Sequence, residues 1–218
     1  MALVLGTNCG FVTEAPTGDL SSSSSFSYAN NKAYVSKYTS PIGITKITEM
    51  GWWCDDAFTD GNFEVGLYAA DGAGGIAGTR LYVDDTNAKG ADAGWKTVTV
   101  DWEVEEETPY WLGFQFSSSS GSTSILFSTS GGEGIDYLSS VTSLSNPFGG
   151  GTLYDADGFI SVYAVYEAAA PAGTNQWINV DDAWRQLTEA WVNVDDSWRK
   201  VKEAWINVDD VWRQLYSV

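Results

Sequence analysis

Trp95-Lys-Thr-Val-Thr-Val-Asp-Trp-Glu-Val104 is built from β-branched and aromatic residues alternating with polar ones. That alternation places one set of side chains on each face of a pleated strand. Working outward, similar runs occur at Ala33–Thr39, Ile44–Trp53, Asn62–Tyr68, Thr79–Val83, Tyr110–Phe116, Ser124–Ser128 and Ile160–Tyr166. Gly, Asp, Asn and Ser clusters separate them, and no apolar period of helix length interrupts the series. Several short strands with turn signals between them predict a β-sandwich, and a jelly roll is the commonest large version. Ser21–Ser25, Ser117–Ser120 and Gly149–Gly151 read as flexible connectors.

The balance of charge narrows the function. The 218 residues carry 29 Asp and Glu against 11 Lys and Arg, a net charge of −18. Such a field repels phosphate backbones and anionic lipid, so neither nucleic acid nor a membrane surface is an expected partner. The chain has no histidine, which removes Ser-His-Asp and Cys-His nucleophiles, His-ligated zinc and histidine as general base. Cys9 and Cys54 are too few for a disulfide scaffold or a Cys-only zinc site, and both are expected to be reduced and buried. No run reaches the roughly 18 apolar residues of a membrane span. The first residues, Met1-Ala-Leu-Val-Leu-Gly-Thr, lack the basic start of a secretory signal, so synthesis in the cytoplasm is expected.

Composition changes at Ala168-Ala-Ala-Pro-Ala-Gly-Thr174, a run of small residues without periodicity that reads as a linker. The expected organisation is a sandwich over residues 1–167, a linker at 168–174 and a repeat tail at 175–218. The first part holds 21 acids and 6 bases, the tail 8 acids and 5 bases, and six of the 11 Trp fall in the tail.

Three sets of residues carry a resemblance. They are Gly51-Trp-Trp-Cys-Asp-Asp-Ala with Gly61-Asn-Phe-Glu-Val-Gly-Leu-Tyr, then Thr86-Asn-Ala-Lys-Gly, then Gly94-Trp-Lys-Thr-Val-Thr-Val-Asp with Thr108-Pro-Tyr-Trp-Leu-Gly. Together they resemble a β-sandwich module that recurs in tailed-phage virion proteins, and they are more distantly similar to carbohydrate-binding jelly rolls. The resemblance covers roughly residues 5–120. It implies a structural or adhesive role in the virion and brings no catalytic residue.

The tail is a 14-residue repeat in three copies, with Trp at every seventh position: Trp177, Trp184, Trp191, Trp198, Trp205 and Trp212. Val, Ile, Asn and Asp are poor helix formers, so the spacing is not a coiled-coil heptad. It parses as short strands joined by two-residue turns, Asp-Asp at one edge and Thr-Glu or Lys-Glu at the other. Around Asp181-Asp182, Asn179 then faces Trp184 and Trp177 faces Gln186; around Thr188-Glu189, Gln186 faces Trp191. Carried across six strands, this predicts an antiparallel β-meander with every Trp on one face. Ile178, Arg185, Val192, Arg199, Ile206 and Arg213 fall on the other face. A lone sheet of this size is marginal in water, and six exposed Trp would exceed the patch a monomer tolerates. The six Trp with Arg185, Arg199 and Arg213 are therefore the expected assembly interface of a homo-oligomer, a trimer being favoured, or of a contact with other virion proteins.

Other chemistry reads more plainly. Gly72-Ala-Gly-Gly-Ile-Ala77 spells a dinucleotide pattern, but a strand rather than a helix follows it, leaving a glycine-rich loop. Glu103, Glu105, Glu106 and Glu107 form an acidic face without a recognisable glycosidase pair. Asp55, Asp56 and Asp60 supply hard oxygens for a structural calcium, although their spacing is not that of an EF-hand; no other metal or cofactor is expected. The Asp-Asp turns are ordinary turn residues. Trp52, Trp53 and Trp111 are candidates for stacking on sugar, with Trp95 and Trp102 also available, though the neighbours Trp52 and Trp53 point to opposite faces. The expected function is a non-catalytic phage virion structural protein of the capsid-decoration or head-fibre type. The alternative is a tail-fibre module recognising cell-surface glycan.

Overall fold

The computed structural model describes residues 1–20, 25–26, 30–54, 62–85, 93–117, 124–149 and 154–168, and in the C-terminal part the strand residues 177–180, 183–186, 191–194, 197–200, 203–208 and 211–217. The described residues are all-β, with no helix among them. The chain divides into two compact units, Met1–Ala168 and Ala169–Val218.

Among the described residues, the first unit holds twelve strands. They are β1 (Gly10–Val12), β2 (Ser25–Phe26), β3 (Lys32–Thr39), β4 (Ile44–Cys54), β5 (Asn62–Ala69), β6 (Arg80–Asp84), β7 (Gly94–Glu103), β8 (Pro109–Ser117), β9 (Ile125–Ser128), β10 (Ile135–Ser139), β11 (Phe159–Ile160) and β12 (Val162–Ala168). A four-stranded sheet runs β1-β12-β4-β7, a five-stranded sheet β10-β3-β8-β5-β6, and a small third sheet β11-β9-β2. Among the described residues, all ladders of this unit are antiparallel except β1 with β12.

The period-2 patterning explains the layers. In β7, Val98, Val100 and Trp102 are buried while Thr99, Asp101 and Glu103 are exposed. In β8, Tyr110, Leu112, Phe114 and Phe116 join Ile47, Met50, Trp52, Val162 and Ala164 of the four-stranded sheet in one core. Trp52 lies flat on Phe114, centroids 4.4 Å apart and planes 5° from parallel, so the two larger sheets meet ring on ring.

The outer face of the five-stranded sheet is also covered. Ala33, Val35, Tyr68, Ala77, Trp111, Leu144 and Phe148 form a second cluster there. The segment Val141–Gly149 crosses this face as a strap, tied by three side chains from two strands, β5 and β8. Gln115 Nε2 donates to the Val141 carbonyl at 3.1 Å, Glu64 Oε2 accepts from the Leu144 N–H at 2.7 Å, and the Tyr68 hydroxyl donates to the Ser145 carbonyl at 3.0 Å. Gly66 makes the seat: a Cβ there would stand 2.7 Å from Leu144 Cδ1. On β10, Asp136 is buried; one carboxylate oxygen accepts from the Tyr137 N–H at 2.8 Å and the other has no hydrogen-bond partner among the described residues. Burial holds this carboxyl above the usual carboxylate range.

In the second unit, β13 (Trp177–Val180) pairs with β14 (Ala183–Gln186), β15 (Trp191–Val194) with β16 (Ser197–Lys200), and β17 (Glu203–Val208) with β18 (Val211–Ser217). Each hairpin has the same register: Asn179 opposite Trp184, Asn193 opposite Trp198, Asn207 opposite Trp212. Among the described residues, ladders join strands within a hairpin and not between hairpins, giving three two-stranded sheets rather than the continuous six-stranded meander expected. The Thr188-Glu189 connection on which the further pairing was argued lies outside the described residues, as does Lys202, whereas Glu203, expected in the second such turn, opens β17.

Candidate functional site

Sequence reasoning offered Trp52, Trp53 and Trp111 as a sugar platform. The structure corrects this, because none presents a free ring face: their exposures are 0%, 4% and 1%. Trp52 is sealed in the core against Phe114, Phe63 and Phe116. Trp53 does point to the opposite face of β4, but that face is covered by Leu20 and Leu126, and Trp95 packs edge-on against it at 5.4 Å. Trp111 lies under the glycine-rich loop and donates its indole N–H to the Gly75 carbonyl at 3.1 Å. Trp102 is buried as well. Both sheets carry cover on their outer faces, which a strand pattern alone does not announce.

A different place in the fold is open. A cleft of about 750 Å³ lies where the edge strands β6 and β7 of the two larger sheets meet, lined by Ile44, Thr45, Lys46, Leu81, Tyr82, Glu103, Val104, Glu105 and Tyr110. Tyr82 is half-buried and stacks face to face on Trp102 across the gap between the sheets, 5.4 Å between centroids and 7° between planes. Leu81, its neighbour on the edge strand, is 42% exposed. The cleft therefore has an apolar floor that ends at an edge of each sheet.

The rim is acidic and held in place. Glu103 stands directly opposite Lys46 in the β4–β7 ladder. The Lys46 ammonium sits 3.0 Å from Asp101 and 3.6 Å from Glu167, and Asp101 first, then Glu167, keep it charged above the usual lysine range. The backbone of Glu105 is fixed from both sides: its N–H donates to the Tyr110 hydroxyl at 3.0 Å, and its carbonyl accepts from the Ser40 hydroxyl at 2.6 Å. Glu106 accepts from the Gly43 N–H at 2.6 Å. Glu103, Glu105, Glu106 and Glu107 are all exposed.

The remaining candidates are placed as follows. Asp55, Asp56 and Asp60 lie outside the described residues. The loop Gly72–Ala77 closes on itself through Gly75 N–H to the Gly72 carbonyl at 2.9 Å and leads directly into strand β6. Cys9 and Cys54 are buried and are not joined in a disulfide. In the C-terminal unit the backbone register puts each Trp pair, 177 with 184, 191 with 198 and 205 with 212, on one face of its hairpin. Arg185, Arg199 and Arg213 take register positions on the other face. Tyr82, Lys46 and Tyr110 were missed from sequence, since they are brought together only by the strand order. No family model matches this chain, and neither a curated protein nor a solved structure matches it.

Proposed function

We propose that the chain is a non-catalytic structural protein of a tailed-phage virion, of the capsid-decoration or head-fibre kind, which assembles through its Trp-repeat hairpins. The observation that carries this reading is the threefold recurrence of one hairpin register, each copy with two Trp on a single face. Isolated two-stranded hairpins are marginal in water, and a repeated indole face gains stability by burial against another surface. Symmetry-related copies supply such a surface, with a trimer the favoured state. The first unit fits a jelly roll in its strand order, though its β1–β12 pair is parallel where that fold has it antiparallel. Counting β1, β3, β4, β5, β6, β7, β8 and β12 as eight strands, the sheets run 1-8-3-6 and 2-7-4-5, so the chain passes repeatedly between layers. Light scattering of the full chain beside a chain ending at Ala170 tests the assembly role, and fractionation of virions tests the location. Two monomers in solution would overturn the first, and absence from purified particles the second.

A second reading, a tail-fibre module that recognises cell-surface glycan, is favoured by the cleft between β6 and β7. A ring, an apolar floor and a rim of hydrogen-bonding groups at an accessible edge are what a sugar-binding surface requires. Binding of a glycan panel to the full chain tests it, and a silent panel would overturn it.

A further inference from the structure

We infer that the β6–β7 cleft selects saccharides bearing a free amine and rejects those bearing a carboxylate; this rests on the second reading above. The argument is one of charge complementarity at a shaped surface. The cleft and its immediate ion pairs hold four carboxylates, Glu103, Glu105, Asp101 and Glu167, against the one ammonium of Lys46. Asp101 and Glu167 already engage that ammonium, which leaves Glu103 and Glu105 as acceptors on the rim. Ionised carboxylates only accept hydrogen bonds, so they pair with a ligand rich in donors. A sugar ammonium offers three such donors with a positive charge, and its ring hydroxyls offer more.

The geometry of the floor argues for a saccharide rather than a simple cation. Leu81, Val104 and Tyr82 give an apolar surface that a bare ammonium cannot use but the C–H face of a pyranose can. Tyr82 is braced from behind by Trp102, so its position does not depend on the ligand. Fixing of the Glu105 backbone by Tyr110 and Ser40 likewise sets where one of the acidic side chains leaves the chain before binding. An anionic sugar meets the reverse situation, with its carboxylate beside two others in a strongly acidic unit.

The test is titration of the full chain, followed by calorimetry and by backbone amide resonances, with trimers of glucosamine, N-acetylglucosamine and galacturonic acid, and with trilysine. The glucosamine trimer is expected to bind roughly three- to tenfold more tightly than the N-acetylated trimer at low salt, the scale of one or two partly exposed ion pairs. That gap should close at about 1 M salt, where the screening length falls to about 3 Å. Galacturonate should not bind. Glu103→Gln with Glu105→Gln should abolish the preference for the amine, Tyr82→Ala should weaken both amino and acetylated trimers, and Glu14→Gln with Asp157→Asn, outside the cleft, should do neither.

Tighter binding of the N-acetylated or uronate trimer at the cleft would overturn the amine selectivity while leaving the glycan reading standing. No shift of cleft resonances with any sugar would overturn both. Trilysine matching the glucosamine trimer, or equal loss of affinity in the control variant, would reduce the effect to net charge and overturn the assigned site.

Discussion

Trp52→Ala probes the junction of the two larger sheets. The indole is fully buried and lies flat on Phe114, with Phe63 at 5.9 Å and Phe116 at 5.7 Å. A buried Trp removes about 150–250 Å² from water, worth roughly 4–6 kcal/mol at about 25 cal/mol per Å² as an upper bound. Measured truncations of buried aromatics cost about 3–5 kcal/mol, which is a large share of the roughly 5–15 kcal/mol that holds a domain together. One term opposes this. The indole N–H has no hydrogen-bond partner among the described residues, and an unsatisfied buried donor costs about 1–3 kcal/mol. Trp52→Phe keeps the stacking and deletes the donor, so the loss of ring volume and the relief of the orphan N–H should cancel to within about 1.5 kcal/mol. Urea unfolding of both variants, followed by circular dichroism and compared at a common m-value, measures the two numbers. A cost below about 1 kcal/mol for Trp52→Ala would refute the packing argument. Equal costs for the two variants would refute the role given to the N–H.

Gly51→Ala should destabilise by about 1–3 kcal/mol through overpacking, because the added Cβ would stand 2.5 Å from the ring of the buried Tyr163; urea unfolding checks it, and a neutral result would mean that the ring can move. Neither cysteine should react with a thiol reagent in the native protein, and both should react in denaturant, since Cys9 and Cys54 are buried and burial pushes the Cys9 thiol up to about 12; rapid native labelling would contradict the burial. Asp136 has its carboxyl raised by burial, so its contribution is full when it is protonated and is lost as pH rises through the ordinary carboxylate range and beyond. Asp136→Asn should therefore raise the melting temperature at about pH 7, with a gain that fades toward about pH 4; a gain independent of pH would assign the effect to something other than ionisation.

Much of the first unit was legible because its long strands are written in alternation. Residues 95–104 were read as a strand, and β7 runs from Gly94 to Glu103; Tyr110–Phe116 lies inside β8. The strands that were not seen lack that signature. β1 is three residues opening on Gly10 at φ 74°, and its parallel partner β12 lies some 150 residues along the chain. β10 carries Asp136 at its second position, and a carboxylate there reads as a turn until the strap that covers the sheet is known. The site was half visible. Glu103 and Glu105 stood out as charges, but Lys46, Tyr82 and Tyr110 come from three separate strands with no local spacing to link them. The Trp residues of the first unit misled for a related reason. A pattern tells which side of a sheet a ring is on, but not whether another part of the chain lies over that side.

The place of β12 in the four-stranded sheet has a consequence for synthesis on the ribosome. β12 is the last strand of its unit, yet it lies between β1 and β4, so neither can complete its ladder in that sheet until Val162–Ala168 has been made. Pairings this distant in sequence are slow to close. The 50 residues of Ala169–Val218 are still to be added at that moment, which at roughly 5–20 residues per second takes several seconds. During that interval the sandwich can fold on a tethered chain before all three Trp hairpins exist. The order of translation thus separates closure of the acidic first unit from exposure of the surface proposed to assemble.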